Sequence, residues 1–406
     1  MLARLITRLL RRAGPYRCWQ LFHRLRQADP AFMDELAEYF MVGEWPEKMV
    51  RDEFLRKYLG DHRSRLGARI PLDQSLGEPL IDEIPSETTP SERRLLYLLF
   101  RHWWSGQGNV FEVGPFLGGT TRAMALGMQA NPRRRADARL FTADKFSDYY
   151  KPEDLEGYLK PLFERGVLTA EDRAAIGTQG RFRQVFDRIH QRQHYHAFLE
   201  VMDGVLPDLP EHLTAGGTFL NLAPIAPVDA FFIDGCKSWY GTKYMLREAA
   251  RCAAPNALYI FQDYGMYTCF WVPVCLHLLG EGFRLVAYTD CTYVWAATRP
   301  LTVEQVDAAI PDRAEDLSRD TLVRVFTELE AAARQREDRR AIVAYPLQYA
   351  AARAYQGDLD EARRHIDALR ARPEALGYED LIARVRRMPT YRPIPRDPGW
   401  ENIYLD

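Results

Sequence analysis

The chain has 406 residues, 47% hydrophobic and 12% aromatic, which is enough apolar surface for a sizeable buried core and excludes a disordered or fibrous chain. Lys and Arg number 54 against 56 Asp and Glu, a formal charge of -2, so there is no global polycation to steer the protein onto nucleic acid. The six cysteines (Cys18, Cys236, Cys252, Cys269, Cys275, Cys291) form no CxxC pair and no His/Cys metal spacing, and no apolar run reaches the roughly 18 residues that span a bilayer; a cytoplasmic protein with reduced thiols is expected.

The opening MLARLITRLLRR sets Leu2, Ile6, Leu9 and Leu10 at helical spacing with Arg4, Arg8, Arg11 and Arg12 between them. Such a helix can lie on an anionic membrane surface, and the favoured reading is a solvated basic face on a helix packed against the core. Residues 1–88 read as a helical region, with Pro30 to Phe40 and Glu47 to Leu59 the clearest stretches, closed by a loop rich in Gly, Pro and Asp from Gly67 to Pro85. Ser91, after Pro90, is placed to cap the helix SERRLLYLLFRHWW, and Ser105-Gly106-Gln107-Gly108 stops it.

Short apolar segments then alternate with helical patterns: NVFEVG, ARLFTAD, HAFLEVMDG, DAFFIDG, ALYIFQD, FRLVAYTD and TYVWAAT. That alternation predicts a largely parallel sheet with crossover helices, and the short break between the last two strands predicts a closing antiparallel hairpin. The fold class is therefore α/β: a Rossmann-like, doubly wound, mostly parallel sheet over residues 89–299 with a C-terminal antiparallel hairpin, flanked by N- and C-terminal helical regions. Residues 300–406 return to helix, with Val303 to Ala309, Arg319 to Asp338 and a stretch from Ala341 to Pro373 that resembles a single tetratricopeptide hairpin. One copy is too few for a repeat array, so a helical appendage docked on the core is expected, and the tail PTYRPIPRDPGW is too proline-rich for helix or strand.

The segment Val110-Phe111-Glu112-Val113-Gly114-Pro115-Phe116-Leu117-Gly118-Gly119-Thr120 runs from an apolar strand through glycines into a helix. Gly114 permits a sharp turn, and Gly118 and Gly119 permit close approach of a ligand to a helix N-terminus. The spacing E-x-G-x-x-x-G-G-T is neither the nicotinamide fingerprint nor a P-loop. It resembles motif I of the class I S-adenosylmethionine (SAM) dependent methyltransferases, which implies that Glu112, Gly114, Gly118 and Thr120 hold the methionine end of SAM. Asp144 ends the next strand, where a carboxylate accepts ribose hydroxyls in doubly wound nucleotide folds. By the same resemblance Met202 and Asp203 lie near the adenine, with a core Met and a turn Asp as the equal alternative.

The segment Asp229 to Tyr240 resembles the fourth-strand motif of catechol and macrocin O-methyltransferases, in which an Asp-x-x-Lys places the acid on a divalent metal and the lysine as general base. Asp234 and Lys237 reproduce that spacing. In the metal-dependent relatives the fifth strand ends in two adjacent ligands; here Asp263 is flanked by Gln262 and Tyr264, so the set implied for Mg²⁺ is Asp234, Asp263 and the Gln262 amide oxygen. The resemblance spans about residue 90 to 298. It implies a SAM-dependent enzyme methylating a small-molecule acceptor, a sugar or phenolic hydroxyl. Tyr264, Tyr267, Phe270, Trp271, Trp239 and Tyr240 are either acceptor-pocket walls or core. Two competing readings are a different nucleotide-cofactor enzyme on the same fold, and a noncatalytic scaffold suggested by the incomplete ligand set.

Overall fold

The computed structural model describes residues 84–147, 150–176, 181–214, 216–289, 291–336, 338–394 and 400–405. The basic opening helix, the stretches Pro30 to Phe40 and Glu47 to Leu59, the loop from Gly67 up to residue 83, and Cys18 lie outside the described residues. The chain divides into two compact units, which contain, among the described residues, 84–104, 118–132 and 286–289 in one, and 105–117, 133–285 and 291–405 in the other.

In the first unit, helix α1 (Pro90–Leu98) runs into a π-turn (Leu99–Trp103), and α2 (Gly119–Ala130) packs against them. The cap of α1 is Thr89 rather than the expected Ser91: Thr89 Oγ1 accepts from Glu92 N at 3.2 Å while the Glu92 carboxylate accepts from Thr89 N at 2.8 Å. That reciprocal box leaves Pro90 at the first helical position, where its missing N–H costs nothing. Gly127 lets α2 approach closely, since a Cβ there would lie 2.9 Å from Phe100 Cβ. Asn131 then donates to the carbonyls of Phe100 (2.8 Å) and Trp104 (3.0 Å), which the end of the helical run leaves open.

The second unit carries β1 (Asn109–Val113), β2 (Leu140–Ala143), β3 (Leu199–Met202), β4 (Val228–Ile233), β5 (Ala253–Phe261) and β7 (Thr292–Ala297), and in it β6 (Phe283–Thr289) begins. The seven strands form one sheet in the order β3-β2-β1-β4-β5-β7-β6. Strands β3 to β5 pair in parallel, and β7 runs antiparallel to β5. The fold is thus the doubly wound, methyltransferase-type Rossmann sheet that the sequence implies, with its order reversing between β1 and β4. Strands buried on both faces read as continuous apolar runs, as Ala230 to Ile233 does, while in Val110 to Val113 the run is broken by the buried Glu112.

The β2–β3 connection carries α3 (Pro152–Glu164), α4 (Ala170–Ile176) and α5 (Arg183–Gln191); α6 (Trp239–Cys252) links β4 to β5, and α7 (Trp271–Leu278) follows β5. Beyond the sheet come α8 (Val303–Ala309), α9 (Arg319–Gln335), α10 (Arg339–Tyr355), α11 (Leu359–Arg370) and α12 (Glu379–Arg387). Helix α9 stops short of the expected Asp338 because Asp338 caps α10, accepting from Ala341 N at 3.1 Å. Val343, Leu347, Ala350 and Ala354 of α10 meet Ala362, Ile366 and Leu369 of α11 in one buried cluster. The proline-rich tail forms strands after all: β8 (Thr390–Pro393) pairs antiparallel with β9 (Trp400–Ile403). A two-stranded ladder tolerates proline at a strand end, and Pro393 is the last residue of β8.

Cys236, Cys252, Cys269, Cys275 and Cys291 are free and buried. No helix among the described residues is long and apolar enough to cross a membrane.

Candidate active site

The parallel pairing brings four strand ends into one row. Gly114 N donates to Ala143 O at 3.0 Å, Asp234 N to Val113 O at 3.0 Å, and Gln262 N to Ile233 O at 3.1 Å. Asp144, Gly114, Asp234 and Asp263 therefore follow neighbouring strand ends aligned by main-chain bonds, at the carboxyl edge and switch point where open α/β sheets bind ligands. Gly114 has φ +84°, and a Cβ there would lie 2.7 Å from Gly235 N, so both its backbone angle and the neighbouring strand end require glycine. Three residues with side chains also take left-handed φ just after strand ends: Phe116 (+53°), Phe146 (+53°) and Asp263 (+64°). Each such conformation costs on the order of 1–3 kcal/mol and persists only where surrounding structure imposes it.

At the β2 end, Asp144 Oδ1 accepts from Phe146 N at 2.7 Å. Burial is the largest influence on this carboxyl and pushes it above its ordinary value, opposed by the N–H groups of Phe146, Phe116 and Lys145. Aromatic rings back this corner. Phe116 lies against Tyr150 (4.7 Å between centroids), Tyr158 (5.2 Å) and Phe182 (5.8 Å), and Phe146 against Phe182 (5.5 Å) and Phe186 (5.2 Å). The loop after β1 is further tied by His190, whose Nε2 pairs with Leu117 O at 3.1 Å and whose Nδ1 pairs with the Tyr195 hydroxyl at 3.0 Å.

Glu112 is fully buried in β1, opposite Thr142 of β2 and Phe232 of β4. Met202 is half-buried at the end of β3. Asp203 is exposed, with Arg183 at 3.9 Å. Gly118 (φ +92°) caps α2 and Thr120 is buried in its first turn, both in the other unit. Gly119 serves packing: a Cβ there would collide with the Ser86 side chain.

At the β4 and β5 ends the arrangement is ionic. Ser238 caps α6 by accepting from Gly241 N at 3.1 Å, and Lys237 N donates to Gly235 O at 3.1 Å, a turn that folds the lysine back over the strand end. Its ammonium donates to Asp234 Oδ1 at 2.8 Å and to Asp263 Oδ2. The lysine side chain is 31% exposed, against 20% for Asp234 and 13% for Asp263, so the cluster is reachable from solvent through the lysine. Among the described residues no group of three His, Cys, Asp or Glu side chains is gathered to hold a metal. Two carboxylates bridged by an ammonium offer fewer free oxygen donors than the near-octahedral set Mg²⁺ demands. Gln262, the third residue of the implied set, is half-buried next to Asp263 in sequence.

The C-terminal helices brace this ionic end. Gln348 of α10, fully buried, donates from Nε2 to Tyr264 O and Met266 O, both at 2.8 Å, fixing the loop that carries Asp263. Trp239 donates to Pro311 O at 2.7 Å, and Lys243 pairs with Asp312 at 2.7 Å. Trp239, Tyr240, Tyr264, Tyr267, Phe270 and Trp271 are all buried, which makes them core rather than pocket walls. Trp271, for example, donates to Cys236 O at 3.0 Å, and Tyr264 stacks on Tyr293 at 4.5 Å. Phe116, Phe146, His190 and Gln348 escape sequence reasoning because they act through backbone conformation or long-range bonds. Asp208, raised by burial and bonded to Ser238, is likewise visible only in three dimensions.

No protein-family model matches the sequence, and no curated protein is detectably similar to it. Several solved structures are similar in shape. The O-methyltransferase NovP is 17% identical, with 67% of this chain and 100% of that one covered at a TM-score of 0.32. The O-methyltransferase from Bacillus cereus in complex with S-adenosylhomocysteine is 15% identical, covering 59% and 96% at 0.30. TomG from Streptomyces achromogenes, an O-methyltransferase involved in tomaymycin synthesis and solved with SAM, is 14% identical, covering 61% and 98% at 0.29. These likenesses are too distant to carry an argument about chemistry, which rests on the strand-end geometry.

Proposed function

We propose that this chain is a SAM-dependent methyltransferase acting on a hydroxyl of a small-molecule acceptor, a sugar or a phenol. The observation that carries the reading is the row of strand ends. It sets a half-buried carboxylate that accepts from Phe146 N, Asp144, beside a turn that only glycine can make, and an ion-paired lysine two strands away. The first suits the ribose of a nucleotide cofactor, and the second suits an acceptor oxygen that must lose its proton.

Asp144 accepts the ribose hydroxyls, and the main-chain groups of Gly114 meet the methionine end. Glu112 supports that end from within β1, and Met202 and Asp203 are assigned to the adenine side. Gly118 and Thr120 lie in the other unit and enter through the sequence motif alone. When bound, SAM supplies a methyl group on a sulfonium, ready for in-line displacement. Lys237 donates a hydrogen bond to the acceptor oxygen and stabilises its developing negative charge. The acceptor proton leaves to solvent, which reaches the cluster through Lys237. Alignment of acceptor and methyl supplies much of the rate, about 7–11 kcal/mol in favourable cases. The free buried thiols suit a reducing, cytoplasmic compartment.

Calorimetric titration with SAM and S-adenosylhomocysteine tests the reading. Micromolar binding to both is expected; binding to neither would replace it with the scaffold alternative.

A further inference from the structure

We propose that the Lys237 ammonium permanently takes the place that a divalent cation would occupy between Asp234 and Asp263, so that the acceptor side of this site works without a metal. The strand ends that carry the two carboxylates are set without the lysine. Asp234 is placed by its N–H on Val113 O, and Asp263 follows Gln262, whose N–H is on Ile233 O. Two partly buried carboxylates so placed repel each other, and a cation between them relieves the repulsion. The chain provides one three residues after Asp234, on a turn whose following helix is capped by Ser238, so the lysine needs no long reach.

Among the described residues, the C-terminal neighbour of Asp263 is engaged elsewhere. Tyr264, the neighbour of Asp263, is 1% exposed and stacked on Tyr293, so it is committed to the core. Its carbonyl is taken by Gln348. Asp263 itself is held at φ +64° and its loop is closed by Met266 N on Asp263 O at 3.0 Å. The rigid loop therefore fixes the carboxylate at the reach of an ammonium. A divalent ion would have to displace Lys237 from both carboxylates and leave that charge beside it.

The test is cation binding by the purified full chain, read as loss of the free Mn²⁺ electron paramagnetic resonance signal, with Mg²⁺ followed by calorimetry. Wild type is expected to show no stoichiometric site. Lys237→Ala and Lys237→Met are expected to gain one at least roughly tenfold tighter than any wild-type binding, and adding Asp263→Asn to either is expected to remove it. Stoichiometric Mn²⁺ on wild type that is lost in Asp263→Asn would overturn the proposal, as would failure of both lysine variants to bind Mn²⁺ while folded by circular dichroism. Should neither variant fold, the wild-type titration decides: a stoichiometric site overturns the proposal and none sustains it. Because no SAM is needed for this readout, its result and that of the SAM titration are independent.

Discussion

The β1/β2 corner and the β4/β5 corner of the sheet edge are built from the same materials, a carboxylate at a strand end and a tight turn, yet they solve opposite problems. At the β2 end Asp144 is surrounded by backbone N–H groups and aromatic rings, and burial raises it. At the β4 and β5 ends Asp234 and Asp263 share an ammonium. A carboxylate satisfied by amides keeps accepting capacity for neutral hydroxyls, whereas a carboxylate–ammonium cluster can stabilise charge. On the proposed function one corner takes the cofactor and the other the acceptor, a division that can be broken residue by residue.

The largest effect is expected from Lys237→Ala: turnover falls by about 10²–10³, as when an oxyanion donor is removed, while SAM affinity stays nearly unchanged. Equal loss of both would place the lysine at the cofactor. Next, Asp144→Asn is expected to weaken SAM binding by roughly 10- to 100-fold, the worth of a hydrogen bond to a charged group, and to raise stability at neutral pH. The sign follows from the direction of the shift. A carboxyl raised in the folded state contributes fully below its unfolded value and loses that contribution as pH rises through the folded one, so at neutral pH the ionised group is a cost that Asn removes. Thermal melts at pH 7 on both proteins check it; a lower melting temperature for Asp144→Asn would contradict the burial argument.

A third, smaller effect concerns the brace. Gln348→Leu leaves the carbonyls of Tyr264 and Met266 buried without their donor, and a loss of about 1–3 kcal/mol is expected in urea unfolding, together with reduced turnover at unchanged SAM affinity. The smallest is Trp239→Phe, which gives up the bond to Pro311 O for about 0.5–1.5 kcal/mol; no change in unfolding midpoint would show that bond to be without net effect.

The strands were legible because buried parallel strands are short apolar runs, and the glycine loop and strand-end acids stood at their termini in the correct order. What the sequence could not display was partnership. Lys237 and Asp263 are separated by a helix and a strand, and only the parallel register makes them one cluster. Gln348 lies 84 residues from the carbonyl it binds. The six aromatics around Trp239 and Tyr264 are compatible with wall or core by composition, and burial alone decides for core. Ser91 and the proline-rich tail were misread for local reasons: a capping box outcompeted a lone serine, and a terminal proline does not break a two-stranded ladder.

The most direct measurement of the central claim is a pair of SAM titrations by calorimetry, one on Asp144→Asn and one on Lys237→Ala, against wild type. The account predicts weakened binding in the first and wild-type binding in the second. Unchanged affinity in Asp144→Asn, or lost affinity in Lys237→Ala, would contradict the division of the sheet edge into a cofactor corner and an acceptor corner.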